Sequence, residues 1–205
     1  MPFRLFLTAL VAGCLAGCMA RGEYVAERAA TDPALVLKHS SVEFDAHQQT
    51  THLKSAIIYS NGFGNYDRYF LRADRGQTDA AARRDYMQLY FILWSDNWNY
   101  FDRAYVNGAE LPLQVLSRDA VSCTARDGGK CTEAEIQACG RNLIQCSVNE
   151  DVALKLTEDD LARLGGTGLS IQIAGRSGTK NFDIPAGFFE SFQMLLAQHR
   201  NTPAN

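Results

Sequence analysis

The sequence predicts a mainly β protein: an antiparallel β-sandwich with a short inserted helical segment and a C-terminal amphipathic helix. Three observations lead there. Short runs of alternating apolar residues recur between residues 42 and 184. No regular strand–helix–strand rhythm organises them. The longest helix-period pattern comes only after Pro185. A small α+β fold is the alternative assembly of the same elements.

Taken in order, Val42-Glu43-Phe44 alternates within a polar stretch. Leu53–Tyr59 and Tyr66–Ala73 are short β-rich runs. Between them lies Asn61-Gly62-Phe63-Gly64-Asn65, a loop by composition. Gly76–Arg84 is polar and Ala-rich and reads as a connection. Tyr86–Trp94 is the strongest strand, with a buried helix segment as the alternative reading. Met87, Leu89, Phe91 and Leu93 point one way and Tyr90, Ile92 and Trp94 the other, which predicts a central strand covered on both faces. Asn107-Gly108 tolerates positive φ at both positions, as a type I′ hairpin requires, with Phe101–Val106 and Glu110–Leu116 as its arms. Val152, Leu154 and Leu156 share one face of the next strand, Val148–Leu156. Thr157-Glu158-Asp159-Asp160 then opens a short helix ending at Gly165-Gly166, its acids suiting the positive end of the helix dipole. A second hairpin follows: Leu169, Ile171 and Ile173 alternate, Gly175–Thr179 turns, and Phe182 and Ile184 return. Pro185 suits a helix start. Beyond it Phe188, Phe189, Phe192, Leu195 and Leu196 fall on one helical face. The opposite face carries Glu190, Gln193 and Gln198 rather than a basic stripe, so this helix is expected to pack on the sheets and not on a membrane.

The N-terminus has a different character. Arg4 precedes the apolar run Leu5–Ala12, and small residues lead to Leu15-Ala16-Gly17-Cys18. A charged start, a short apolar middle and a small-residue end describe a secretory signal, too short for a membrane span of about 20 residues. The tetrapeptide Leu15–Cys18 resembles the lipobox of bacterial lipoprotein precursors. Val11-Ala12-Gly13-Cys14 fits the same pattern with a shorter apolar core, which favours Cys18. The resemblance implies cleavage of residues 1–17, lipidation of Cys18 and a membrane partner held through acyl chains. With Met19 rather than Asp in the next position, it implies the outer membrane, facing the periplasm. Residues 18–36, small, polar and charged, read as a flexible tether in which Pro33 ends any helix. Residues 37–200 read as a single β-rich domain with a cysteine-containing insertion at 123–146.

Cysteine usage agrees with export. Cys123, Cys131, Cys139 and Cys146 crowd one segment, and an even number in an oxidising compartment reads as disulfides. Their spacing does not match the C-x-x-C pairs of zinc sites. Val121-Ser122-Cys123 mirrors Cys146-Ser147-Val148, so antiparallel flanking strands would bring Cys123 to Cys146 and leave Cys131 with Cys139. Thr132-Glu133-Ala134-Glu135 reads as a capping box opening the inserted helix. A straight helix from 131 to 139 separates the two α-carbons by about 12 Å, whereas a disulfide reaches about 7 Å. Either that helix breaks, or the pairs are Cys123–Cys131 and Cys139–Cys146; the mirrored flanks favour Cys123–Cys146.

Motifs for catalysis are scarce. Gly175-Arg176-Ser177-Gly178 falls one residue short of a G-x-S-x-G elbow, and Gly62-Phe63-Gly64 lacks the third glycine of a phosphate cradle. His39, His47 and His52 with Asp45 are metal-ligand types, but their loose spacing in a polar stretch reads as solvated side chains; His199 complements a helix end. No metal or cofactor is expected. A formal net charge of −3 without a basic run speaks against nucleic acid. Trp94, Trp98, Tyr100, Phe101 and Tyr105 surround Asp96, Asn97, Asn99 and Asp102, a set able to hold a sugar ring or anchor a protein. Trp98, Tyr100 and Phe63 are the candidate binding aromatics. The expected role is therefore a non-enzymatic accessory or binding module of the cell envelope with a protein or glycan partner. The alternatives are an anchored hydrolase, for which Asp96, Asp102, His47 and His52 are the candidates, and a lipid carrier with a cavity between sheet and C-terminal helix.

Replacing Cys18 with serine is expected to move the chain from the membrane to the soluble fraction and to abolish its fatty-acid mass increment. Identical fractionation of both forms, with no acyl mass on the parent, would remove the anchor.

Overall fold

Period-two alternation builds two sheets around one core. The computed structural model describes residues 24–60, 67–76, 86–125 and 144–199. Within them the chain is mainly β, with three α-helices: α1 (Pro33–Lys38), α2 (Glu158–Thr167) and α3 (Ala186–His199). The large sheet runs β1 (Tyr24–Ala26), β4 (Ile57–Tyr59), β5 (Arg68–Gly76), β6 (Tyr86–Ser95), β10 (Ile144–Lys155), β9 (Gln114–Ala125). A hairpin of β2 (Ser41–Asp45) and β3 (Thr50–Lys54) joins it through β5. The small sheet runs β12 (Thr179–Ile184), β11 (Leu169–Ala174), β7 (Arg103–Val106), β8 (Ala109–Pro112). All described pairings are antiparallel except β1 with β4.

Alternation decides what faces inward. Leu89, Phe91 and Leu93 of β6, Leu71 of β5, and Val152 and Leu154 of β10 are buried together. From the small sheet, Phe182 meets Phe91 at 5.0 Å between ring centroids and Tyr69 at 6.1 Å. Helix α3 closes the same core. Phe188 packs edge-on against Tyr69 at 5.2 Å, and Phe189, Phe192, Leu195 and Leu196 are all buried, as the helical face in the sequence predicts. Asn107 (φ 52°) and Gly108 (φ 79°) make the expected hairpin turn. Thr157 and Asp160 form a reciprocal capping box at the start of α2. The Thr157 hydroxyl and amide, both donating to the Asp160 carboxylate, hold it below its usual range. The helix runs past Gly165-Gly166 to Thr167, and Gly168 (φ 70°) ends it.

Five expectations change. The tether expected over 18–36 is folded from Tyr24 onward. Here β1 pairs in parallel with β4, and Val25, Ala30 and Val36 belong to the core. Pro33 starts a helix rather than ending one: it occupies the first turn of α1, and the Asp32 carboxylate caps the amides of Ala34 and Leu35. The run Glu110–Leu116 is divided between the sheets. Pro112 pairs with Arg103 at the end of the β7–β8 ladder, where a missing N–H cannot extend it, and the chain crosses to β9. Leu53–Tyr59 is two short strands separated by a bulge rather than one regular strand. Both β3 and β4 pair with β5, and at the bulge the Ser55 hydroxyl accepts the Leu71 N–H at 2.9 Å. Finally, the second face of β6 is covered by side chains rather than by a further layer among the described residues. Phe70 stacks on Tyr90 at 4.6 Å and the Arg72 guanidinium lies 4.7 Å from the Tyr90 ring. Burial and a bond to Asp151 push the Tyr90 phenol above its usual range.

Two registers in β9 matter below. Cys123 stands directly opposite Cys146, and Arg118 opposite Glu150. Register shifts leave Leu116 and Val121 as extra residues on β9. The inserted helix at Thr132–Glu135, Cys131, Cys139, Phe63, Cys18 and most of the Gly76–Arg84 connection lie outside the described residues.

Candidate functional site

Glu150 interrupts an apolar series. Val148, Val152 and Leu154 project inward from β10 and are buried, and Glu150 sits in phase with them at 0 % exposure. An unpaired carboxylate could not persist there. The segment joining β6 to β7 supplies its partners. The amides of Asn99 and Tyr100 donate to Oε1 at 2.7 and 3.0 Å, and the amide of Phe101 donates to Oε2 at 3.1 Å. Arg118 Nε, across the ladder, donates to Oε2 at 3.0 Å, and its Nη2 donates to the Phe101 carbonyl at 3.2 Å. Every partner of the carboxylate is a donor, which suits its ionised form.

This anchor fixes the connecting segment in a strained shape. Tyr100 has φ 55°, a left-handed conformation rarely taken by a bulky residue. The β11–β12 hairpin presses on it from the other side. The Ser177 amide donates to the Asn99 carbonyl, and the Asp102 amide to the Ala174 carbonyl. Glycine is required at 175, where a β-carbon would stand 2.2 Å from the Asn99 carbonyl oxygen. The outcome is a ring presented to solvent. Tyr100 is 39 % exposed, with the Arg118 and Arg176 guanidiniums 5.4 and 5.5 Å from its centroid and Trp98, half-buried, at 6.3 Å.

A second polar clamp joins the sheets beside this one. Asp67, almost fully buried, accepts Lys180 Nζ on both oxygens at 2.6 and 2.8 Å and the Trp94 amide at 2.8 Å, while Lys180 also donates to the Trp94 carbonyl. Trp94 and Phe101 thus flank the site as scaffold, and Trp98 and Tyr100 face outward.

The remaining candidates do not converge. His47 lies in the β2–β3 turn, where the Asp45 carboxylate accepts the amides of Gln48 and His47 and is held below its usual range by them. His52 Nδ1 meets Asp74 Oδ1 at 2.7 Å, level with Tyr86 at the start of β6. Asp96 follows the other end of β6, roughly 30 Å away at 3.3 Å per residue. Asp102 pairs with Arg103 at the surface. The hydrolase set is therefore dispersed. Among the described residues no three histidine, cysteine or carboxylate side chains gather as a metal site. An apolar groove of about 180 Å³ lies beside α2, lined by Val106, Leu111, Leu154 and Leu164, and not under α3 where a lipid cavity was expected. It is smaller than the roughly 300–1,000 Å³ typical of ligand pockets.

Sequence reasoning reached Trp98 and Tyr100 but missed Glu150, Arg118 and Arg176. The signal for Glu150 was present: one acid in the buried phase of Val148, Val152 and Leu154. Comparison of the chain with protein-family models, curated proteins and solved structures gives no match.

Glu150→Gln should lower unfolding free energy in urea by about 3 kcal/mol, the scale for breaking one side of a buried ion pair. Amide exchange at residues 99–101 should rise with it. A loss under about 1 kcal/mol with unchanged protection would mean that Glu150 does not hold the segment.

Proposed function

We propose that the chain is an outer-membrane lipoprotein, anchored through Cys18 and facing the periplasm, that acts as a non-enzymatic binding module. Its contact surface is Trp98, Tyr100, Arg118 and Arg176. One observation carries this reading: a fully buried carboxylate and a left-handed backbone together hold an aromatic ring in solvent. Strain of this kind persists where surrounding structure enforces it, commonly at ligand-binding positions. Aromatic and arginine side chains are also those that dominate binding hot spots. The dispersal of Asp96, Asp102, His47 and His52 weighs against a hydrolase. An anchor supports the reading further, because confinement raises local concentration and makes modest affinity sufficient.

The test uses the full-length chain in its envelope. Trp98→Ala with Tyr100→Ala should lose capture of envelope protein or glycan while membrane association and circular dichroism stay unchanged. Undiminished capture by the double variant would discard this surface.

The same reading includes a disulfide between Cys123 and Cys146. They are cross-strand partners, and opposed α-carbons in an antiparallel ladder are about 4.5–5.5 Å apart, within disulfide range. Such a bond would brace the hairpin that carries Arg118 and Glu150, and would leave Cys131 and Cys139 as the second pair. Non-reducing digestion and mass spectrometry should yield a peptide linking 123 to 146; a 123–131 linkage would refute the pairing.

A further inference from the structure

We infer that the partner at this surface is a protein that presents a carboxylate side chain to Arg176, an inference that rests on the binding surface proposed above. The charges select the partner group. Arg118 is committed to Glu150 and to the Phe101 carbonyl. Arg103 is paired with Asp102. Arg176, exposed at the tip of the β11–β12 hairpin, touches the Tyr100 ring, and no carboxylate among the described residues pairs with it. A ring contact at an exposed site is worth only about 0.5–1 kcal/mol and leaves the guanidinium fork open. A planar fork with donors to spare matches a carboxylate in two-point contact. One uncompensated cation suits one singly charged acid.

The surroundings favour protein over glycan. Six large hydrophobic residues are exposed among the described residues: Tyr100, at 39 %, is one, and Val115 at 38 % and Val121 at 57 % are two others, carried on the same strand as Arg118. Val115 and Val121 each lie three residues from Arg118 along β9, about 10 Å at 3.3 Å per residue. Two guanidiniums lie over the Tyr100 ring, which reduces the bare aromatic face a sugar would stack on. Aliphatic area around aromatic and arginine residues, without lysine, is the composition of a protein interface core. The strand that carries the two valines, β9, is also an outer strand of the described large sheet.

The experiment places a photocrosslinking residue, p-benzoylphenylalanine, at Val121 of the full-length chain in cells. Irradiation should give a discrete adduct sensitive to protease. Arg176→Glu should reduce it at least about tenfold, since opposed like charges at an interface cost several kcal/mol, and Arg176→Lys should retain most of it. Changing the contacting acid of the crosslinked protein to arginine should restore the adduct in Arg176→Glu. An adduct indifferent to Arg176→Glu would overturn the inference, as would one digested by glycosidase but not protease. Absence of any adduct, where Trp98→Ala with Tyr100→Ala still abolishes capture, would also overturn it and leave the binding surface standing. Loss of neither capture nor adduct in any variant would remove both.

Discussion

A single buried carboxylate organises the end of this molecule that displays Tyr100. Glu150 is placed by the register of β10, out of reach of water, and its four donors come from two places far apart in sequence: the 99–101 segment and Arg118. Burying an ion is costly, and only complete hydrogen bonding offsets that cost. The requirement runs in both directions. The connection needs an acceptor for three amides that no ladder uses, and the acid needs donors. Each fixes the other, and the geometry of Tyr100 follows.

The two sheets are joined by two kinds of force, and they do different things. Phe91, Phe182, Tyr69 and Phe188 supply cohesion through area removed from water and ring contacts. Those contacts are non-directional enough to tolerate small slides. The Asp67–Lys180 pair, and the bonds from the 99–101 amides to Glu150, are directional. Placed at the same end of the sheets, they set how the small sheet sits on the large one where the connecting segment emerges.

Much of the fold could be read in the residues because alternation and turn chemistry are local. Asn107-Gly108 needs positive φ wherever it occurs, and the face of Phe188, Phe192 and Leu195 is written in its spacing. The mirrored flanks of Cys123 and Cys146 were enough to predict their register. What escaped was non-local. The parallel pairing of β1 with β4 joins residues more than 30 apart and leaves no periodic mark in three residues. The transfer of the chain from β8 to β9 depends on the sheet beyond Pro112. The site was half legible for the same reason: aromatic residues close in sequence stand out as a cluster, whereas Arg118, Glu150 and Arg176 meet only after folding.

The early weld of β1 onto β4 has a mechanical consequence. If the acyl chains sit on Cys18, six residue steps separate them from Tyr24, the first paired residue among those described. Fully stretched, that span is roughly 20 Å. Such a leash is short compared with the domain it holds, so the body would ride against the lipid headgroups with little freedom to reorient or wander. Anything it meets would have to come to the bilayer surface.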